Sequence, residues 1–256
     1  MAPGPLHRQR NQPPGVPPLE LTGERTLPDV PAENYWFRRH LAVYEWIAAR
    51  VPGLRVADLA CGEGYGAAVL ADAARSVVGV DANPEAFEHA RLRYRAPNLR
   101  FERDLVETWR GDVDCVVFLQ TIEHVADPAA LLAHIRELVG PGGVAYVSTP
   151  NVLTLAPPGA ERSDNPWHVR EYRPSEFLAL CRGAFSSVEL LGLHHARRLR
   201  LHQLAVERLG WDRLHSRLRL TRPFYDAFVP AISARDFALR DGDLEAALDL
   251  LAILRA

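Results

Sequence analysis

Asp58-Leu-Ala-Cys-Gly-Glu-Gly-Tyr-Gly66 is the stretch on which the fold turns. An apolar run from Leu54 to Ala60 leads into it and reads as a buried strand. The segment from Tyr65 to Ala73 has helical character and leads away from it. Between them, three glycines in the order Gly62-x-Gly64-x-Gly66 let a ligand approach the backbone where a Cβ would collide. A strand, a glycine turn and a helix in that order form the first unit of a nucleotide-binding α/β domain.

Working outward, the alternation continues. Ser76 to Val80 reads as a second strand, ending at Asp81. Asn83 and Pro84 then cap and start a helix that runs to Tyr94. Asn98 to Glu102 is a short third strand and Val113 to Leu119 an apolar fourth. Asp127 caps a helix over Pro128 to Val139, and Pro141-Gly-Gly turns into a fifth strand, Val144 to Ser148. Arg173 to Ala184 reads as a helix, Ser187 to Leu193 as a sixth strand and Leu248 to Leu254 as a seventh. Before the first strand, the stretch from Glu33 to Ile47 places Trp36, Leu41, Tyr44 and Ile47 near one helical face. The expectation is an α/β fold, a Rossmann-like, seven-stranded, mostly parallel sheet with helices on both faces. Residues 194–243 are too long for an ordinary connection and form a helical insertion before the last strand. They are expected to act as a lid or as a homodimer contact. Residues 1–20 hold six prolines and few large apolar groups, and are expected to be a disordered tail ahead of a domain spanning 21–256.

Composition narrows the chemistry. All thirty basic residues are arginine, which excludes a phosphate-loop lysine and a Schiff-base lysine. The net charge of -2 gives no reason to expect a nucleic-acid partner. Cys61, Cys115 and Cys181 have neither metal nor redox spacing, and an odd count argues against a disulfide framework. With no signal-like or membrane-length apolar run, a cytoplasmic protein without stable membrane insertion is expected.

Charge around the glycine loop separates the candidate ligands. A dinucleotide would bring a pyrophosphate against Asp58, which repels it, and its loop pattern is Gly-x-Gly-x-x-Gly. S-adenosylmethionine brings an ammonium and a sulfonium, which Asp58 favours. Asp81, at the end of the next strand, can accept both hydrogen bonds of a ribose diol. The bland alternative is a glycine turn with no ligand.

Val56-Ala-Asp-Leu-Ala-Cys-Gly-Glu-Gly-Tyr-Gly66 resembles the first motif of class I S-adenosylmethionine-dependent methyltransferases, and Val78-Gly-Val-Asp81 their second. Phe101-Glu-Arg-Asp104-Leu resembles the third. The run Asp114-Cys-Val-Val-Phe-Leu-Gln-Thr-Ile-Glu-His-Val-Ala-Asp-Pro128 is similar to the fourth-strand motif of the ubiquinone-biosynthesis-like branch. The resemblance covers about residues 33–195, with Ala60 standing where the family usually has glycine. It implies that Asp58, Ala60, Gly62 and Gly64 meet the methionine end, and Asp81 the ribose. Adenine would lie between Ala82 and Leu105 with Asp104 at its edge, and the Gln120 backbone would face the sulfonium.

The acceptor side is read from two clusters. Glu123-His124 follows the fourth strand, where His124 can take a hydroxyl proton or the pair can hold a divalent cation. Some relatives use Glu-x-x-Glu-His for magnesium. Gln120 replaces the first carboxylate here, which weakens the case for Mg2+. The plain alternative is that the pair ends a strand and caps a helix. Asn165-Pro-Trp-His168-Val-Arg-Glu171 supplies His168, which can share base or metal duty, and resembles a motif of methyltransferases acting on sugars. The stretches from Leu21 to Asp29 and from Glu33 to His40 also resemble actinobacterial methyltransferases of polymethylated polysaccharide synthesis. The combined expectation is O-methylation of a carbohydrate or other small hydroxylated acceptor. The alternatives are a quinone- or phenol-type O- or C-methyltransferase and a non-catalytic Rossmann-like binding subunit.

Overall fold

The structure is a computed structural model that describes residues 6–10, 12–22, 25–157, 159–209 and 222–256. In chain order it contains β1 (Leu6–His7), β2 (Leu19–Glu20), α1 (Asn34–Ala48), β3 (Arg55–Leu59), α2 (Tyr65–Ala71), β4 (Ser76–Val80) and α3 (Pro84–Arg93). These are followed by β5 (Leu99–Glu102), β6 (Cys115–Leu119), α4 (Pro128–Val139), β7 (Val144–Pro150) and a one-turn α5 (Val152–Leu155). The chain ends with α6 (Pro174–Ala184), β8 (Ser187–His195), α7 (Arg197–Leu209), α8 (Arg222–Ala231), β9 (Phe237–Arg240) and β10 (Asp249–Arg255).

Eight strands form one sheet in the order β5-β4-β3-β6-β7-β10-β8-β9. The first five are parallel, β10 lies antiparallel between β7 and β8, and β9 pairs antiparallel with β8. The carboxyl ends of β3, β4, β6 and β7 therefore share one edge, where the glycine loop, Asp81, Gln120 and Pro150 meet. The order reverses beside β3, and such a switch point opens a crevice at the carboxyl ends of the strands.

Both faces of the sheet are covered. Leu131, Leu132 and Ile135 of α4 and Phe177 of α6 pack on one side with Val116 and Phe118 of β6. Tyr44 and Ile47 of α1 and Leu70 of α2 pack on the other with Val117 and Val56. Successive residues of β6 thus face opposite helical layers, which is why that strand is apolar throughout. Local capping agrees with the sequence. Asn83 Oδ1 accepts from the Glu85 and Ala86 amides, and Asp127 Oδ1 accepts from Ala130. A buried ion pair ties the ends of the chain together: Arg39 of α1 donates from Nε and Nη2 to the Asp249 carboxylate at 2.6 and 2.5 Å.

The Rossmann-like architecture is the expected one, with two departures. The sheet has an eighth strand, β9, inside the stretch read as a helical insertion. That insertion also begins later, because β8 runs on to His195; its residues 210–221 lie outside the described part of the chain. The second departure concerns residues 1–20. Their described part is not a disordered tail, because β1 pairs with β2 and Leu19 is buried against Leu27 and Val30. His89 Nδ1 lies 2.7 Å from the Pro17 carbonyl, which pins the segment to α3. Proline removes backbone donors, but a few leucines and one side-chain anchor suffice to dock so short a strap. Among the described residues, no helix is long and apolar enough to cross a membrane.

Candidate active site

Two cavities adjoin at the carboxyl edge of the sheet. The smaller, about 100 Å³, is bounded by Ala60 and Gly62 of the loop, Tyr44, Tyr65 and Leu119. The larger, about 380 Å³, is bounded by Trp36, Glu123, His124, Asn165 and His168. Arg25, Thr26, His40 and Gln120 line both.

The loop geometry explains its residues. Gly64 has φ +96°, and a Cβ there would come within 2.8 Å of the Ala90 Cβ and 3.0 Å of the Phe101 ring. A Cβ on Gly66 would penetrate the Tyr44 ring at 2.1 Å. The missing side chain at Gly66 lets Tyr44 pass over α2 and donate its hydroxyl to Asp58 Oδ1 at 3.1 Å. Ala60 has φ +56°, the left-handed region in which glycine is the usual occupant. The alanine therefore carries a modest strain at the point where the family has glycine.

Asp58 is wholly buried at the end of β3. Burial pushes its pKa up to about 8 against the Tyr44 hydrogen bond, and the nearby Asp81 charge adds to the rise. A cation brought beside it would restore the ionised form. Asp81 Oδ2 accepts from the Gly62 amide at 2.7 Å and Oδ1 from Asn83 at 2.8 Å, so it braces the loop, and each oxygen has a second lone pair. Asp104 is exposed and accepts from the Leu105 amide at 2.8 Å and from Thr108, while Leu105 is an exposed apolar side chain on the rim. Ala82 follows Asp81 on the same rim. Gln120 has φ +52° and is pinned to Ser148, its amide bonding the Ser148 carbonyl and its Nε2 the Ser148 hydroxyl. The nine residues expected to meet the cofactor thus lie along three adjacent strand ends and the rim beyond them. Tyr44 was legible only as an apolar helix position, because nothing in the sequence shows where its hydroxyl goes.

On the acceptor side, Glu123 is buried beneath His124. Burial pushes its carboxyl up to about 8, and among the described residues Oε2 has no hydrogen-bond partner. The Glu123 backbone carbonyl accepts from Val169 and Arg170, which draws the loop after β7 over this point. His124 Nδ1 sits 3.0 Å from the Trp167 carbonyl, so it carries the proton, and a neutral ring has its lone pair on Nε2. That Nε2 is 4.0 Å from Glu123 Oε1. His168 packs edge-on to His124 with ring centroids 5.0 Å apart. Its Nδ1 pairs with Glu171 at 2.6 Å, and its Nε2 accepts from Asn165 Nδ2 at 2.9 Å. With both nitrogens engaged, His168 braces the loop rather than taking a proton in this conformation.

Glu123, His124 and His168 could together present three ligand atoms within 4.8 Å of one another. The set does not fit magnesium, which prefers oxygen ligands. Two imidazoles meet one carboxylate, Gln120 supplies only an amide, and His168 would have to give up Asn165. The expectation of Mg2+ is corrected on these grounds.

Two predictions follow from this geometry. Asp81→Ala is expected to weaken S-adenosylhomocysteine binding by about 1–3 kcal/mol, because a charge-assisted acceptor and the loop brace go together. Calorimetric titration of the variant measures this, and unchanged affinity would remove Asp81 from the ribose role. The second concerns pH. Glu123 is raised in the folded state, so below its unfolded pKa both states are protonated and it contributes nothing. As pH climbs toward about 8, only the unfolded chain ionises freely and the folded state is penalised. Glu123→Gln should therefore gain stability relative to the parent as pH rises from 5 to 8. Paired denaturation curves across that range would show a constant difference if the reading were wrong.

Comparisons with known proteins identify the family. Residues 32–220 match the family model described as a methyltransferase domain. A Mycolicibacterium smegmatis protein named "Probable S-adenosylmethionine-dependent methyltransferase" is 39% identical over 92% of this chain and 94% of its own length. A ubiquinone biosynthesis O-methyltransferase of Albidiferax ferrireducens is 35% identical over 62% of this chain and 69% of its own length. Among solved structures, the magnesium protoporphyrin IX methyltransferase of Synechocystis with bound S-adenosylhomocysteine has the same fold. Its TM-score is 0.55 at 16% identity, covering 91% of this chain and 89% of that one.

The chain belongs to the class I methyltransferase family, whose fold and cofactor-side elements it carries. It is an S-adenosylmethionine-dependent enzyme of that family.

Proposed function

We propose that the enzyme methylates a hydroxyl oxygen on a sugar or other small hydroxylated metabolite, with His124 as the general base. The observation that carries this reading is the His124 ring, set by the Trp167 carbonyl so that the lone pair of its neutral form is on Nε2, in a cavity that adjoins the cofactor cavity. Trp36 is an exposed aromatic that lines this cavity, and an aromatic face suits the apolar face of a sugar ring.

In the reaction, the acceptor oxygen attacks the methyl carbon in line as the carbon–sulfur bond breaks. The sulfonium becomes the neutral thioether of S-adenosylhomocysteine, and the hydroxyl proton passes to His124 Nε2. Alignment and exclusion of water supply most of the rate. Proton removal matters because an alcohol is far too weak an acid to ionise near neutrality. Asp58 would take the cofactor ammonium, and the Gln120 backbone would face the sulfonium. Glu123 lies next to His124, its Oε1 4.0 Å from Nε2.

A phenolic acceptor is the second reading, favoured by the likeness to the ubiquinone biosynthesis O-methyltransferase. The same base would serve it. Measuring kcat/KM with labelled S-adenosylmethionine on oligosaccharides and on catechol-type phenols separates the two: preference for the phenols would overturn the sugar assignment. We further propose that the insertion after β8 acts as a lid or homodimer contact.

A further inference from the structure

We infer that Arg25 holds the carboxylate of the cofactor's methionine end, completing the cofactor cavity from the strap that precedes α1. The inference starts from charge. S-adenosylmethionine carries a carboxylate beside its ammonium, and that carboxylate must enter a region already crowded with Asp58, Glu63 and Asp81. Like charges at such range repel strongly in a partly desolvated cleft, so a cation is required.

The lining leaves one source for it. Arg39 donates two bonds to Asp249 and a third to the Leu248 carbonyl, and is fully committed. His40 is half-buried and held neutral, its pKa pushed down to about 4 by desolvation. Among the described residues Arg25 is the one arginine lining the smaller cavity, and it borders the larger one too. It is half-buried and makes no ion pair or hydrogen bond among the described residues. Its positive charge also reaches Asp81 and Glu63, tending to lower both.

Arg25 is held in place by its neighbours. Thr26 Oγ1 lies 3.3 Å from the Tyr65 hydroxyl, at the first residue of α2. Leu27 is wholly buried against Leu19 and Val30, and its amide donates to Glu33 at 3.2 Å. The strap is thus anchored, immediately after Arg25, on both the glycine-loop helix and the approach to α1. Asp58 for the ammonium and Arg25 for the carboxylate form a complementary pair of opposite charges, and neither alone would read the amino-acid end.

The test uses two ligands that share adenosine and sulfur. S-adenosylhomocysteine has the amino-acid end, and 5′-methylthioadenosine lacks it. Calorimetry on the full chain is expected to show Arg25→Ala weakening S-adenosylhomocysteine by about tenfold or more, the size of one charge-assisted pair. Binding of 5′-methylthioadenosine should stay within about twofold, and Arg25→Lys should recover part of the loss as a point charge. Equal weakening of both ligands would mean that Arg25 merely holds the strap, and unchanged S-adenosylhomocysteine binding would mean that it makes no contact. Either result overturns the inference.

Discussion

His124→Ala is expected to lower kcat for methyl transfer to a hydroxyl acceptor by about 10²–10⁴-fold, the range of a positioned general base. Affinity for S-adenosylhomocysteine should be nearly unchanged, because the ring faces the acceptor cavity, whereas the loop, Asp58 and Asp81 form the cofactor side. The distinction follows from the two adjoining cavities, which share Gln120 and His40 but not His124. Steady-state kinetics beside calorimetry reads both quantities. Full activity in the variant would leave proton removal to solvent and take His124 out of the mechanism. A parallel loss of cofactor affinity would instead mean that the substitution collapses the loop at Trp167. His168→Gln provides the contrast. It keeps a hydrogen-bonding side chain toward Glu171 and Asn165, so it should raise KM more than it lowers kcat if His168 only braces the loop.

The second large effect is on stability. Arg39→Met is expected to cost about 3–5 kcal/mol, since it leaves the Asp249 carboxylate buried without its cation. Asp249 is only 2% exposed and opens β10, the strand between β7 and β8, so the penalty falls inside the sheet. Replacing both partners, Arg39→Met with Asp249→Leu, should recover most of the loss, because a matched apolar pair has no charge to desolvate. Urea denaturation of the three proteins measures this. If the single variant were as stable as the parent, the ion pair would have no structural role, and α1 would be held by its apolar face alone.

The physical signals that made much of the fold legible are easy to name. β3, β4, β6 and β7 are buried on both faces, so their sequences are almost continuously apolar, and prolines or capping side chains mark the helices between them. β10 is equally apolar and was readable despite the long stretch before it. β9 was not. Phe237-Ala-Leu-Arg240 is only four residues long, sits at the sheet edge and pairs on one side, so half of its surroundings impose no pattern. The N-terminal strap was also misread, because proline content signals disorder only where no apolar anchor exists. Leu19 and Leu27 supply one.

The candidate site divides in the same way. Asp58, Gly62, Gly64 and Asp81 lie where strand ends must place them, so local sequence order was enough. Tyr44, Arg25 and Thr26 reach the cleft from elements distant in sequence, and no spacing rule predicts that. His168 illustrates the converse limit. Its position near His124 could be anticipated from the loop after the fifth parallel strand, but its commitment to Glu171 and Asn165 is a matter of side-chain geometry. That commitment changes its expected role from proton acceptor to brace. The strained backbone at Ala60 and Gln120, both with positive φ, brackets the cleft on either side. Backbone held in sparsely populated regions clusters where ligands must be gripped, and these two positions fit that pattern.

The most direct measurement of the central claim is the chemical fate of the methyl group. S-adenosylmethionine labelled with ¹³C in its methyl group would be incubated with the enzyme and a mixture of oligosaccharide acceptors, and the product carbon identified by NMR. The account predicts a methyl ether on a sugar oxygen, formed by the parent and lost in His124→Ala. A methyl group on carbon, or transfer that persists unchanged in the variant, would contradict it.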